Sequence, residues 1–303
     1  MTIKHFIALA ALAATLTSCK ESDPKMPTDG SGRIHYQLSI MTFNVNVDKR
    51  SGENSWAARE EAVAAMITEQ KPLIIGTQEA QAHEITSIVS HHPEYSWYGI
   101  KRDSGNVPET TTSYSFEEAM AIFWLKDKLD VLDKGTFWLS TTPDQPGKGW
   151  DANYNRTATW IHFRVKETGL QFFMFNTHLD DSGKTARTEG MKLIISKMKE
   201  INTSGEPMFL TGDFNTNESN AVFDPLLRGT PAIMKSARAN AIQSDRDKYT
   251  FNNYAAPKSQ IDHIFYYGSV LALSFKVVDG AYAGKTFISD HFPAVATFSY
   301  TAI

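Results

Sequence analysis

Apolar and polar positions along this chain switch repeatedly between a period of two and a period near 3.6, and turn-forming clusters separate the segments. Gln37–Phe43 alternates and predicts a strand, while Ser55–Glu69 predicts a helix with Ser55 as its N-cap. Pro72–Gly76 is a short apolar run, as a buried strand carries, and it leads into Gln78-Glu79. Ala82–His91 reads as a helix and Tyr95–Ile100 as a strand. Strands are expected at Ala119–Leu125 and Leu129–Leu139, across the turn-like Lys126-Asp127-Lys128. Thr157–Val165 and Leu170–Asn176 predict a hairpin closing on Glu167-Thr168-Gly169. A helix over Thr185–Ile201 gives way to a strand at Met208–Thr211, and Ser219–Leu227 is expected to be helical. Strands at Ile261–Tyr267, Leu271–Val278 and Pro293–Tyr300 complete the set.

Hairpins mixed with strand–helix units argue against a purely parallel sheet. They predict an α/β (α+β) architecture, two packed mixed β-sheets with helices outside. Between the elements, Lys101–Glu117 and Ser140–Tyr154 are long, polar and irregular, and long loops in a compact domain often carry function. Residues 37–303 show no second linker and no internal repeat, and 42% of the chain is hydrophobic, enough for one large core. One domain is expected there.

The N-terminus belongs to a different regime. Lys4 and His5 precede an apolar run, Phe6–Leu16, that ends in Leu16-Thr17-Ser18-Cys19. This is the pattern of an export signal, and the run is too short to span a membrane. Leu-Thr-Ser-Cys resembles the lipobox of bacterial lipoproteins, in which the cysteine is acylated and becomes the mature N-terminus. Residues 1–18 are therefore expected to be a lipoprotein signal peptide, with a polar flexible tether over 19–36. The protein is expected to be exported and held at a membrane, periplasmic or at the cell surface, through lipid on Cys19. Cys19 is the single cysteine of the chain, so no intrachain disulfide can form. Without residues 1–18, 29 basic side chains face 34 acidic ones, a net charge of −5. No Lys/Arg run appears, which disfavours a nucleic-acid partner. A monomer is expected.

The chemistry lies in polar clusters at the ends of the apolar runs. Hydrolysis of a phosphate ester needs a metal to take up charge, a base for water, donors for the nonbridging oxygens and support for the leaving oxygen. Glu79 follows a strand, where a side chain can be aimed, and is the best candidate metal ligand; Asn44 follows another. Alone, each is an ordinary loop residue. In Gly212-Asp213-Phe214-Asn215, Gly212 permits a tight turn, and Asp213 and Asn215 can point the same way. The bland alternative is an Asx-turn ending a strand. Ser289-Asp290-His291 offers an acid/base pair, and Asp262 can hold the second nitrogen of the His291 ring, while His263 is expected to be structural. His178, at a strand end, can donate to a phosphate or leaving oxygen. Arg156 can take a nonbridging oxygen in fork geometry, or merely form a surface ion pair. No zinc-type cluster, P-loop or Gly-x-Ser-x-Gly elbow is present.

Taken in order, Phe43-Asn44, Gln78-Glu79, Thr177-His178-Leu179, Gly212-Asp213-Phe214-Asn215, Ile261-Asp262-His263 and Ser289-Asp290-His291 resemble the motifs of the endonuclease/exonuclease/phosphatase superfamily. Trp56-x-x-Arg59 before Pro72–Gly76 is similar to that family's first helix and second strand. The resemblance runs from Ser39 to about Tyr300 and implies a four-layer α/β sandwich with its site at one end of two packed sheets. It implies Mg²⁺, with Mn²⁺ as a substitute, bound or supported by Asn44, Glu79 and Asp290. Asp213 would orient or deprotonate water, Asn215 would contact phosphate, and His291 with Asp262 would form the base or phosphate-binding pair. The base is left open between Asp213 and His291. Abasic-site endonucleases commonly carry a tyrosine where His178 stands, which tilts the resemblance away from DNA repair. The expected activity is metal-dependent hydrolysis of a small or lipid-borne phosphate ester outside the cytoplasm. A secreted nuclease and a non-catalytic surface binding lipoprotein are the alternatives.

Overall fold

A computed structural model describes residues 35–49, 51–255 and 259–301. The expected signal peptide, Cys19 and the tether up to residue 34 lie outside the described residues. The first strand, His35–Asn44, starts two residues before the expected edge of the domain.

Two large sheets pack face to face. The seven-stranded sheet runs Gln243–Ser244, Val270–Val277, Ala294–Thr301, His35–Asn44, Ile74–Gln78, Ile122–Leu125, Tyr95–Tyr98. The six-stranded sheet runs Lys235–Ser236, Asp262–Tyr267, Met208–Asp213, Gln171–His178, Thr157–Val165, Leu129–Trp138. Both are mixed. His35–Asn44 lies parallel to Ile74–Gln78, and Met208–Asp213 lies parallel to Gln171–His178, with antiparallel strands outside each pair. The predicted architecture is present.

The helices Trp56–Gln70 and Ala82–His91 bury Val63, Met66, Ile67, Ile85 and Ile88 into the core that also holds Ile40, Phe123, Phe163, Phe172, Phe209 and Phe298. On the other side, the helix Lys184–Ile201 buries Met191, Ile194 and Met198 against Phe175, Leu210 and Phe214. Strands covered on both faces need apolar residues in both phases, which is why Ile74–Gln78 is buried throughout. Among the described residues no helix is long and apolar enough to cross a membrane.

Two expectations are refined. Ser219–Leu227 is helical as expected, but as a 3₁₀ turn, Ala221–Phe223, followed by a π-helical turn, Asp224–Arg228, rather than as an α-helix. Pro225 removes a backbone donor there, and the Asn220 side chain instead takes the Val222 N–H. The run Ala119–Leu125 is interrupted, with Glu118–Ala119 pairing to Ala80–Gln81 and Ile122–Leu125 to the main sheet.

Beneath the site the sheets are joined by polar groups. The Asn176 amide donates to Thr77 O (2.7 Å) and Ala121 O (3.3 Å), and its Oδ1 accepts from Gln78 Nε2 (2.7 Å) and Thr211 Oγ1 (3.0 Å). A Cβ on Gly76 would stand 2.4 Å from Thr211 Oγ1 and 2.7 Å from Asn176 Oδ1, so glycine there sets how closely the sheets approach.

Candidate active site

Strand direction gathers the site. Each central pair is parallel and presents its carboxyl ends at one edge, while the antiparallel neighbours start there. The register places Asp213 between His178 and Asp262, and Asn44 beside Gln78. Ser289-Asp290-His291 comes to the same edge because Ala294 pairs with Thr42. The Ser289 hydroxyl ties the two together by donating to Asn44 O (2.7 Å) and accepting from His291 N (3.2 Å).

A cavity of about 510 Å³ opens over this edge, and Glu79, Arg156, His178, Asp213, Asn215, Asp290 and His291 all line it. Asn44 and Asp262 lie behind that lining, each bonded to a member of it. The sequence-predicted residues therefore converge.

Asp213 is the hub. Its Oδ1 accepts from Asn215 N (2.9 Å), which is the Asx-turn, with Asn215 left-handed at φ 52°. Its Oδ2 takes Asn44 Nδ2 (3.0 Å) and lies 3.4 Å from His178 Nε2 and 3.6 Å from His291 Nε2. The turn and the catalytic reading thus coexist in one carboxylate. Gly212 has a different role from the one expected. It is the penultimate residue of its strand, and a Cβ there would meet Thr177 O at 2.4 Å, so it permits close strand approach rather than a turn.

Glu79 is left-handed (φ 63°), a conformation that costs a non-glycine residue roughly 1–2 kcal/mol. Asn44 Nδ2 (3.1 Å) and Val47 N (2.8 Å) hold its two oxygens. Asn44 Oδ1 already accepts from Asn46 N (3.0 Å), so Asn44 turns its NH₂ toward Glu79 and Asp213. Asn44 is thus a bridge between two carboxylates.

Electrostatics separate the ionisable groups. Burial opposes the charge on His291, but Asp262, bonded to Nδ1 at 2.8 Å, and Asp213 overcome it and raise the pKa to about 10. Burial raises Asp213 to about 7, against His291 and with Asp262. His178 is held well below the ordinary histidine value by burial and by the charges of Arg156, Arg102 and His291. The neutral His178 ring accepts Asn215 Nδ2 at 3.1 Å, and that amide also donates to Leu179 O. Asp290 is raised by burial and by the facing Glu79.

Two groups can hold a cation. The ligand atoms of Asp213, Asp262 and His291 all lie within 4.8 Å of one another, but an imidazolium already balances charge there. Glu79 and Asp290 also line the cavity, the Glu79 charge helping to raise Asp290, and Asn46, whose Oδ1 is buried without a protein donor, lines it with them. That all-oxygen set fits Mg²⁺ or Mn²⁺.

Arg156 is both ion-paired and in the cavity, with Nε 3.2 Å from Asp180 Oδ2 and Nη2 3.1 Å from Asp181 Oδ1. Its guanidinium and that of Arg102 lie 5.3 and 5.0 Å from the Tyr154 ring. Arg102 pairs with buried Glu118 at 2.5 Å, and burial still raises that carboxyl to about 7. Asn46, Lys49, Arg102, Glu118, Tyr154 and Phe251 line the site and were not singled out from sequence. Arg102 and Tyr154 do lie in the two long loops predicted to carry function, but nothing local distinguishes them. His263 points away, to Thr216 O (2.8 Å) and Glu218 (3.3 Å).

The chain is similar to a solved endonuclease/exonuclease/phosphatase structure from Bacteroides vulgatus, 33% identical over 87% of this chain and 98% of that one, with a TM-score of 0.78. It is similar to a mannosyl-6-phosphatase of Bacteroides thetaiotaomicron, 31% identical over 88% of this chain and 100% of that one, with a TM-score of 0.76. The human Nocturnin catalytic domain, 18% identical over 90% of this chain and 98% of that one, shares the fold with a TM-score of 0.67. Comparison with curated proteins gives no match. The family model described as "Endonuclease/Exonuclease/phosphatase family" matches residues 41–291, the span that carries every group described above, and the chain belongs to that family, whose named activities are all hydrolyses of phosphate esters.

Proposed function

We propose that this protein is a Mg²⁺-dependent phosphatase that removes phosphate from a small, sugar-like monoester outside the cytoplasm, tethered by lipid on Cys19. The observation that carries the hydrolytic reading is the placement of Asp213 between a neutral histidine, His178, and a charged one, His291. The similarity to a mannosyl-6-phosphatase supports the monoester and sugar parts of the reading. The export signal read in residues 1–19 supports the location.

Asp213 is the base in this reading. A His291 ring protonated up to about pH 10 cannot accept a proton at neutral pH, whereas a carboxyl near 7 is poised to do so. His291, held by Asp262, donates to the phosphoryl oxygens and balances their growing charge. Asn215, bonded to the neutral His178, flanks Asp213 on the other side and can turn its amide to a phosphoryl oxygen, and Arg156 and Arg102 add positive charge at the cavity wall. Glu79, Asp290 and Asn46 would hold Mg²⁺, which when bound neutralises phosphoryl charge.

The test measures phosphate release from mannose 6-phosphate, other sugar phosphates and p-nitrophenyl phosphate, with Mg²⁺, with Mn²⁺ and with EDTA, beside bis-p-nitrophenyl phosphate as a diester. Metal-dependent release from monoesters in preference to the diester is expected. Turnover of the diester alone overturns the monoesterase reading, and turnover of neither overturns the enzyme.

A further inference from the structure

Arg102 lies in the first of the two long loops, Tyr154 ends the second, and Arg156 follows it; all three line the catalytic cavity. The Tyr154 ring is half exposed, and the two guanidinium carbons stand 5.0 and 5.3 Å from its centre.

Both arginines are held from behind. Arg102 Nη1 meets Glu118 Oε2 at 2.5 Å, its backbone N–H donates to Glu118 O (2.9 Å), and its carbonyl accepts the Trp138 indole N–H (2.7 Å). Arg156 is fixed through the buried Asp180. Asp180 Oδ2 accepts Arg156 Nε (3.2 Å) together with the backbone N–H groups of Asn153 (3.1 Å) and Tyr154 (3.3 Å). Its Oδ1 accepts those of Ser182 (3.2 Å) and Gly183 (2.8 Å). One carboxylate thus sets the ring and the guanidinium together, and side chains already immobilised lose little freedom when a ligand binds.

The anchors use Nη1 of Arg102, and Nε and Nη2 of Arg156. Among the described residues no acceptor takes Arg102 Nη2 or Arg156 Nη1, and neither nitrogen is closed off from solvent. The two side chains are only 9% and 6% exposed, so the small part of each that is open is the part at the cavity wall. Both charges also help to keep His178 neutral, which sets them close to the reacting centre.

We propose that Arg102 and Arg156 form a clamp that makes this cavity select a dianionic phosphoryl group over a diester, with Arg102 as the specificity-determining residue. The inference rests on the monoesterase reading and assigns its selectivity to named donors. A monoester presents three free oxygens, and a diester has given one of them to carbon. The two open guanidinium nitrogens can take that third oxygen by charge-assisted bonds. An oxygen that bears carbon accepts poorly and leaves them unpaired, and a site built on such donors rejects a ligand that cannot fill them. Tyr154 offsets the repulsion between the two cations by lying against both.

The test uses the full chain at mildly alkaline pH with Mg²⁺. Arg102→Lys keeps the charge and loses the fork. The double variant Arg102→Gln/Glu118→Gln replaces the ion pair by two amides, so no buried charge is left unpaired and folding should be retained. In the double variant kcat/KM for p-nitrophenyl phosphate should fall about 10²-fold and that for bis-p-nitrophenyl phosphate about tenfold less, with Arg102→Lys between it and wild type. Calorimetric titration with inorganic phosphate and with dimethyl phosphate reads the clamp without turnover. Wild type should bind phosphate about tenfold or more tightly than dimethyl phosphate, and the double variant should lose that preference. A monoester-to-diester ratio unmoved by the variants, or phosphate and dimethyl phosphate bound alike by wild type, overturns the proposal. A phosphate preference that the double variant loses, with neither ester hydrolysed by any form, supports the clamp and counts against the catalytic reading alone.

Discussion

The side-chain nitrogen of Asn44 donates to Glu79 at 3.1 Å and to Asp213 at 3.0 Å, joining a carboxylate one residue past a strand of the seven-stranded sheet to one at the end of a strand of the six-stranded sheet. Asn44→Ala leaves both carboxylates short of a donor, a loss of about 1–3 kcal/mol for a buried group. We expect kcat/KM for p-nitrophenyl phosphate to fall about 10²-fold. Asn44→Asp should be worse, since it sets a third negative charge between two others. An Asp variant as active as wild type would show that the bridge has no catalytic part.

The pH profile should be bell-shaped. As pH rises through about 7, Asp213 loses its proton and becomes a base, so kcat/KM rises; as pH passes about 10, His291 loses its proton and kcat/KM falls. A saturating divalent cation lowers the acidic limb. Asp262→Asn removes the charge that holds the His291 proton, so the alkaline limb should move down toward the ordinary histidine range. An unmoved limb in that variant means His291 does not set it.

EDTA should abolish hydrolysis, and Mg²⁺ or Mn²⁺ should restore it. Binding should also raise the melting temperature, because a cation held at a hundred times its Kd stabilises the folded state by about 2.7 kcal/mol. Glu79→Gln should erase most of that rise, which thermal scans with and without Mg²⁺ read without any substrate. An undiminished rise in the variant would move the ion elsewhere.

Arg59 is fully buried and donates to the carbonyls of Val45 (2.7 Å), Asn46 (2.9 Å), Asn54 (2.9 Å) and Ile288 (2.8 Å). It fastens the segment after Asn44 to the one before Ser289, with Glu84 as its 3.9 Å counter-ion. Arg59→Met leaves those carbonyls without donors and removes the one cation 3.9 Å from Glu84, whose carboxyl burial already pushes well above the usual range. A stability loss of about 3–5 kcal/mol is expected in urea unfolding. A loss under about 1 kcal/mol, the size of a surface pair, would show that the staple is dispensable.

Much of this protein follows from sequence by itself. Apolar period and turn chemistry are local properties, so Ala82–His91 and Thr157–Val165 appear at their predicted bounds. The fold class and the residues that converge were also readable, because strand ends carrying Asn44, Glu79, His178, Asp213 and His291 are marked by a change from apolar to polar. Tertiary structure decided what a chain read one segment at a time does not contain. Register sets Asp213 beside both His178 and Asp262, neighbouring carboxylates carry His291 up while burial and neighbouring cations carry His178 down, and Gly212 answers to the Thr177 carbonyl of a neighbouring strand. Arg102 and Asn46 exist as features of the site only after distant segments have packed, since charge and desolvation depend on what lies across space.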